Sequence, residues 1–160
     1  MHAENMLPIE EARSEDLPEI IALQKLAFRR EATRTGDWGM PAQTQTVEQL
    51  AAEMPSLKLI VIRDAGKIIA TGRASFESDT VHIGRLAVAP ERQGQGFGTR
   101  LINALEASFP NANRYEIFTS EGSIDNIKLY ERLGYREYAR KKSPTIVILI
   151  FMEKYRSAAS

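Results

Sequence analysis

Gly94, Gly96 and Gly98 stand at every second position of APERQGQGFGTRLINAL, residues 89 to 105, and the apolar residues that follow, Leu101, Ile102 and Leu105, fall at helical spacing. A turn that delivers the chain into a helix leaves the first helical N–H groups without intrahelical acceptors, at the positive end of the helix dipole. With no Cβ in the way, an oxyanion can come against that backbone, so these residue types at this spacing read as a phosphate site. Phosphate-binding turns separate by spacing. A P-loop needs four residues between its glycines and then Gly-Lys-Ser/Thr, whereas Thr99 and Arg100 follow Gly98. A dinucleotide fingerprint needs its third glycine one position later, after the first strand of a parallel βαβ unit. A turn whose glycines serve chain geometry alone remains the alternative.

The elements around this turn follow from periodicity and punctuation. A first strand is expected around LPIEEA, and SEDLPEIIALQKLAFRREA reads as one helix, opened by Ser14, Asp16 and Pro18. TRTGDWGMPAQTQT reads as a loop, and TVEQLAAEM as a short helix capped by Thr46. LKLIVIRDAGKIIATGRASFESDTVHIGRLAV gives three strands joined by tight hairpin turns. The glycine turn and its helix come next, then a strand RYEIFT, a helix SIDNIKLYERL ending at Gly134, and two strands, YREYAR and TIVILIFMEK. The order β, α, α, β, β, β, α, β, α, β, β predicts a mixed α/β layer arrangement.

Composition narrows the function classes. A chain of 160 residues suits one domain over 1–160. Lys plus Arg equals Asp plus Glu at 21 each, which argues against nucleic acid or an anionic membrane as the main partner; the basic run ARKK at 139–142 reads as a solvated loop or a contact for a phosphate. The absence of cysteine removes disulfides, thiolate metal sites and a thiol nucleophile, and no metal site is expected. An acidic N-terminus without a signal-peptide pattern, and a longest apolar run, TIVILIFM, too short to span a bilayer, give a cytoplasmic expectation. TIVILIFMEK is apolar on both faces, so its strand is buried within the sheet or against a second copy, and a homodimer is possible.

Gln93-Gly94-Gln95-Gly96-Phe97-Gly98 resembles the pyrophosphate-binding signature, Gln/Arg-x-x-Gly-x-Gly/Ala, of the GNAT superfamily of acyl-CoA N-acyltransferases. Leu86, Val88 and Pro90 resemble the lead-in from that family's central strand, and NIKLYERLGYRE its closing helix and next strand. The resemblance implies a mixed, mostly antiparallel sheet of about seven strands flanked by about four helices. It further implies an N-acetyltransferase that passes an acetyl group from acetyl-CoA to a primary amine of a small molecule or peptide by direct attack. A catalytically silent acyl-CoA-binding sensor is the alternative. Carried onto this chain, the diphosphate falls on the amides from Gln93 to Thr99 and the pantetheine arm on the main chain of Leu86, Ala87 and Val88.

The resemblance makes Tyr130 the acid for the departing sulfur, a phenol that stays protonated at neutral pH; packing on the apolar stripe with Ile127 and Leu133 is its other reading. Where the closing helix often begins with Asn this chain has Ser123, with Asn126 as a substitute contact for the cofactor arm. Where some members keep a Glu base this chain has Gly84; His82 shares its face by strand alternation, and Glu31 is a rival base. The acceptor wall corresponds to Phe28, Glu31, Asp37, Trp38 and Met40, with Trp38 suited to a cationic amine or to the core. Arg85, within an apolar strand, needs a carboxylate, either the acceptor's or an internal one.

Overall fold

A computed structural model describes residues 7–145 and 147–156. Seven strands form one sheet in the order β1-β2-β3-β4-β5-β7-β6, with β1 Ile9–Glu11, β2 Lys58–Asp64, β3 Lys67–Glu77, β4 Thr80–Val88, β5 Arg114–Ser120, β6 Arg136–Lys142 and β7 Ile148–Tyr155. Every pairing is antiparallel except β4 with β5. That exception arises because the chain crosses over through a helix between those two strands instead of turning back in a hairpin.

The helices α1 Leu17–Ala27 and α4 Val47–Glu53 cover one face of β2, β3 and β4, with Leu17, Ile20, Leu50, Val61 and Ala87 in the core between them. The opposite face carries α5 Phe97–Ala107 and α6 Ile124–Arg132. Leu101, Ile102 and Leu105 are fully buried there, as their spacing requires. The first face is left uncovered over β5, β7 and β6, where Phe118 and Tyr138 are exposed.

Three segments differ from the sequence reading. The first helix bends at Phe28 (φ −93°, ψ 3°) into α1 and α2 Arg29–Thr35, hydrogen bonds bridging the junction from Phe28 N to Gln24 O at 3.0 Å and from Ala32 N to Phe28 O at 3.0 Å. No Pro or Gly marks the bend; it is held by tertiary contacts of Glu31 described below. The expected loop contains a short helix, α3 Pro41–Thr44, started by proline at its first position. ARKK lies in the edge strand β6, three strands from β4, where its charges discourage edge-to-edge pairing. β7 is an interior strand whose Ile150 and Met152 are buried, while Leu149 and Phe151, on the uncovered face, are half-buried; Ile146 of its expected span lies outside the described residues.

Candidate active site

The chain leaves β4 through a 3-10 turn, Pro90–Arg92, and enters α5 with Gly94 at φ +77° and Gly96, the N-cap, at φ +86°. Gly96 O accepts the first helical bond, from Arg100 N at 3.1 Å, so the N–H groups of Phe97, Gly98 and Thr99 have no intrahelical acceptor. A Cβ built on Gly94 or Gly96 meets nothing within 4 Å, so the space in front of this backbone is open. At Gly98 a Cβ would stand 3.3 Å from Leu129 Cδ2, so the third glycine admits α6. The side chains of the turn face elsewhere. Phe97 is buried, with the Arg92 guanidinium 5.6 Å over its ring, and Arg92 is held by Asp64 at 2.8 Å and Gln95 at 3.3 Å. The turn thus offers backbone donors to an anion, which fits the diphosphate of an acyl-CoA.

This turn opens onto a gap in the sheet. The β4–β5 ladder runs from Thr80/Arg114 to Ile83/Ile117 and stops there. On the other edge of β4 a bulge interrupts the pairing with β3, the register passing from Arg73/Gly84 to Thr71/Ala87, and Arg85 takes φ +50°. The bulge needs Gly72 opposite it, where a Cβ would come within 2.7 Å of Leu86 Cδ2. Ala89 N donates to Ile69 O at 2.8 Å, so by alternation the peptide groups of Ala87 face β3 and those of Leu86 and Val88 face the gap. This corrects the expectation for Ala87, whose main chain is taken by β3 and whose side chain is buried. Val88 O receives only a 3.4 Å contact from Gln93 Nε2.

Tyr130 of α6 is buried in the core cluster, its ring centroid 6.4 Å from that of Tyr135. Among the described residues its hydroxyl has no protein partner, and it is not among buried side-chain atoms left without one. Burial pushes the phenol well above its ordinary pKa and keeps it protonated. The Tyr135 hydroxyl, in contrast, donates to Glu106 at 2.8 Å.

Glu31 is drawn across to the end of β5. It accepts from Arg34 Nη2 at 2.6 Å, from Ser123 Oγ at 2.8 Å and from Ser120 Oγ. Burial alone would raise its pKa, but these hydrogen bonds and the Arg34 charge outweigh it and hold the carboxyl below the usual range. Both oxygens are engaged and protonation is disfavoured, so the geometry gives Glu31 the part of a tether between α2, β5 and α6 and not that of a base. Ser123 is committed to the same tether and makes no side-chain cap to α6. Asn126 Nδ2 lies 3.4 Å from Thr119 Oγ1 on β5. A hollow of about 150 Å³ opens beside the tether, lined by Arg34, Ser120, Gly122 and Ile148 among others. Phe28 is half-buried against the α1 core, Asp37 accepts from Thr145 Oγ1 at 2.8 Å, and Trp38 is 52% exposed, so it does not close the core.

Among the described residues Arg85 hydrogen-bonds to no acid, and Glu53 acts on it only through its charge. Its Nη1 lies 3.0 Å from Gln24 Oε1 and 3.0 Å from Gln45 Oε1, amide oxygens only. Burial, with the like charge of Arg73, lowers its pKa to about 10. His82 does share a face with Gly84, since Val81 and Ile83 between and beside them lie in the α5 core. Its Nδ1 lies 2.8 Å from Glu116 Oε1, across the parallel ladder. Sequence reasoning missed Glu116, because the pairing depends on a register that no local pattern encodes. Among the described residues there is no group of three or more His, Cys, Asp or Glu that could hold a metal, and no helix long and apolar enough to cross a membrane.

Comparison with known proteins agrees with this geometry. The ribosomal-protein-S18-alanine N-acetyltransferase of Escherichia coli superposes with a TM-score of 0.77 at 21% identity, covering 96% of each chain. PaiA N-acetyltransferase from Thermoplasma acidophilum, in complex with coenzyme A, gives 0.77 at 13% identity over 94% of this chain and 99% of that one. A spermidine N-acetyltransferase chimera of the Vibrio cholerae SpeG and hSSAT gives 0.72 at 21% identity over 93% and 95%. Among curated sequences, UPF0157 protein YqkA of Bacillus subtilis is 27% identical over 139 residues, 86% of this chain but 39% of that protein's length. The model of the acetyltransferase (GNAT) family matches residues 17–135, well over half of the chain, from α1 to the glycine turn and on past Tyr130. With that match added to a glycine turn opening on a parted β4–β5 pair, the chain belongs to the GNAT family of acetyltransferases.

Proposed function

We propose that the protein transfers an acetyl group from acetyl-CoA to a primary amine of a small molecule or peptide, by direct attack in a ternary complex. The observation that carries this reading is the junction of two sets of free peptide groups on one gap: the N–H groups of residues 97–99 and the edge of Leu86 and Val88. The first set suits a diphosphate, and the second suits an amide-rich arm adding itself as a strand. When bound, acetyl-CoA supplies the electrophile, an acetyl thioester. Tyr130 holds the proton for the departing sulfur, since burial keeps its phenol protonated. His82 acts as the base for the incoming amine, Glu31 being occupied as a tether. Trp38, Phe28 and Arg85 lie on the acceptor side, and Arg85, hydrogen-bonded to amide oxygens and to no carboxylate among the described residues, favours an acceptor with a carboxylate near its amine. Fold relatives named for spermidine and for ribosomal-protein alanine act on amines, which supports the acceptor class.

Thiol release measured over a panel of amines, beside calorimetry with acetyl-CoA, tests the reading. Expected are saturable binding, turnover with at least one amine, and a Tyr130→Phe variant whose kcat falls about a hundredfold while acetyl-CoA affinity stays within about twofold. Binding without turnover across the panel would favour the silent acyl-CoA sensor, and no binding at all would refute both.

A further inference from the structure

We propose that Glu116 is a positioning residue that fixes the tautomer of His82, so that His82 Nε2 is the proton acceptor of the transfer; this rests on the function proposed above. His82 and Glu116 are register partners in the short parallel ladder, one step before it ends at Ile83/Ile117 and the strands part. Nδ1 of the ring lies 2.8 Å from Glu116 Oε1. The other oxygen, Oε2, accepts from the Tyr138 hydroxyl and from Arg114 Nη2 at 3.3 Å. Arg114 is itself oriented by Glu153 at 2.8 Å and Thr80 Oγ1 at 3.3 Å, and its guanidinium lies 4.9 Å over the Tyr138 ring.

Glu116 is thereby kept ionised: burial would raise its pKa, but the Tyr138 and His82 hydrogen bonds and the Arg114 charge outweigh it. A carboxylate can only accept, so the neutral ring must carry its proton on Nδ1, and the lone pair is on Nε2. The exposures point the same way, with 14% for the Glu116 side chain and 42% for His82, so the anchored end is inside and the free nitrogen faces out. Glu116 already has Arg114 and Tyr138 as partners, so its own ionisation does not require the histidine; the histidine does require Glu116 for a single tautomer. The titratable and charged groups facing His82 are Glu116 and Arg114 of β5, Tyr138 of β6 and Glu153 of β7, while its β3 register partner is Ser75.

The protons balance. Nε2 takes one proton from the acceptor ammonium, and the freed nitrogen lone pair forms the C–N bond. As the C–S bond breaks, the sulfur leaves with the electron pair and takes the Tyr130 proton. The second nitrogen proton passes to solvent, solvent restores Tyr130, and His82 releases its proton to solvent, for a net loss of one proton per ammonium acetylated.

The test has one arm without substrate and one with it. In the first, 15N NMR of the unliganded protein, with His82→Gln used to assign the ring, should show the neutral ring protonated on Nδ1, and Glu116→Gln, whose amide can either donate or accept, should leave a mixture of the two tautomers. In the second, kcat/KM at neutral pH should fall about tenfold in Glu116→Gln, return toward wild type in Glu116→Asp, and fall about a hundredfold in His82→Gln. A wild-type ring protonated on Nε2 overturns the proposal without any variant having to fold. An unchanged kcat/KM in both Glu116→Gln and His82→Gln, with thiol release intact, overturns it as well. Absence of thiol release in the wild type, with the expected tautomer, sinks the transfer reading and the base role with it, leaving only the pairing.

Discussion

Glu31 shows how much one carboxylate can hold at this site. It joins α2, β5 and α6 through Arg34, Ser120 and Ser123, and it fixes the bend that makes two helices of an expected one. Its pKa in the folded protein is depressed below the unfolded value of about 4.3. The sign follows from that depression: the carboxylate's contribution to stability is complete above the unfolded pKa and is lost as pH falls through the folded one. Glu31→Gln should therefore lower the unfolding free energy by about 1.5–3 kcal/mol at pH 7, the range for hydrogen bonds to a charged group. The gap to wild type should narrow progressively below about pH 4, where the wild-type group also becomes neutral. Urea unfolding of both proteins from pH 7 to pH 3 measures this, and a gap of constant size across that range would contradict it.

The element that defines the site is the strand-to-helix turn, and its glycines divide by task. Gly94 and Gly96 adopt left-handed backbone before open space, whereas Gly98 makes room for Leu129. Gly96→Ala should cost about 1–2 kcal/mol in stability, the ordinary penalty of left-handed backbone for an L-residue. Its methyl would also stand where the diphosphate comes in, so acetyl-CoA affinity should fall about tenfold or more, equivalent to about 1.4 kcal/mol. Gly36→Ala is the control, since φ is +74° there, at the end of α2, and again no atom lies within 4 Å. It should destabilise comparably and leave the affinity unchanged, by thermal unfolding and calorimetry. Equal affinity losses in both variants would show that the turn matters only through stability. The elements legible in the sequence were those with their own periodicity or punctuation: the hairpins at Asp64-Ala65-Gly66 and Ser78-Asp79, the Thr46 cap, and the stop at Gly134. Invisible were the bend at Phe28 and the Gly84–Arg85 bulge, because each is set by partners distant in sequence. Glu116 was hidden for the same reason, while the glycine turn was readable because its chemistry is local and Tyr130 stood out only through the family resemblance.

At the scale of the whole molecule, the sheet is two parts joined by a four-residue parallel ladder. β1 to β4 pair among themselves, β5 to β7 likewise, and the register between Thr80/Arg114 and Ile83/Ile117 is the strand pairing that connects them. The helices α5 and α6 reinforce that junction from one face, through the core shared by Leu101, Leu105, Tyr115, Ile117 and Tyr130. Beyond the ladder the strands part, and the unpaired groups of β4 belong to Leu86 and Val88, Ala87 and Ala89 being paired with β3. A ligand arm lying along this edge completes the interrupted sheet, so its mark should be confined to alternate residues. Amide hydrogen exchange read residue by residue should show Leu86 and Val88 exchanging fast in the free protein and slowing about tenfold or more with saturating CoA, since an unpaired edge amide then acquires an acceptor. Val61 and Ile62 of β2 sit in the interior of the first part and should slow only by the global stabilisation that binding confers, up to about 2.7 kcal/mol at a hundredfold excess over Kd. Slowing of Ala87 in step with its neighbours would indicate a general tightening of β4, and unchanged exchange at Leu86 and Val88 with CoA bound would place the arm somewhere other than this edge.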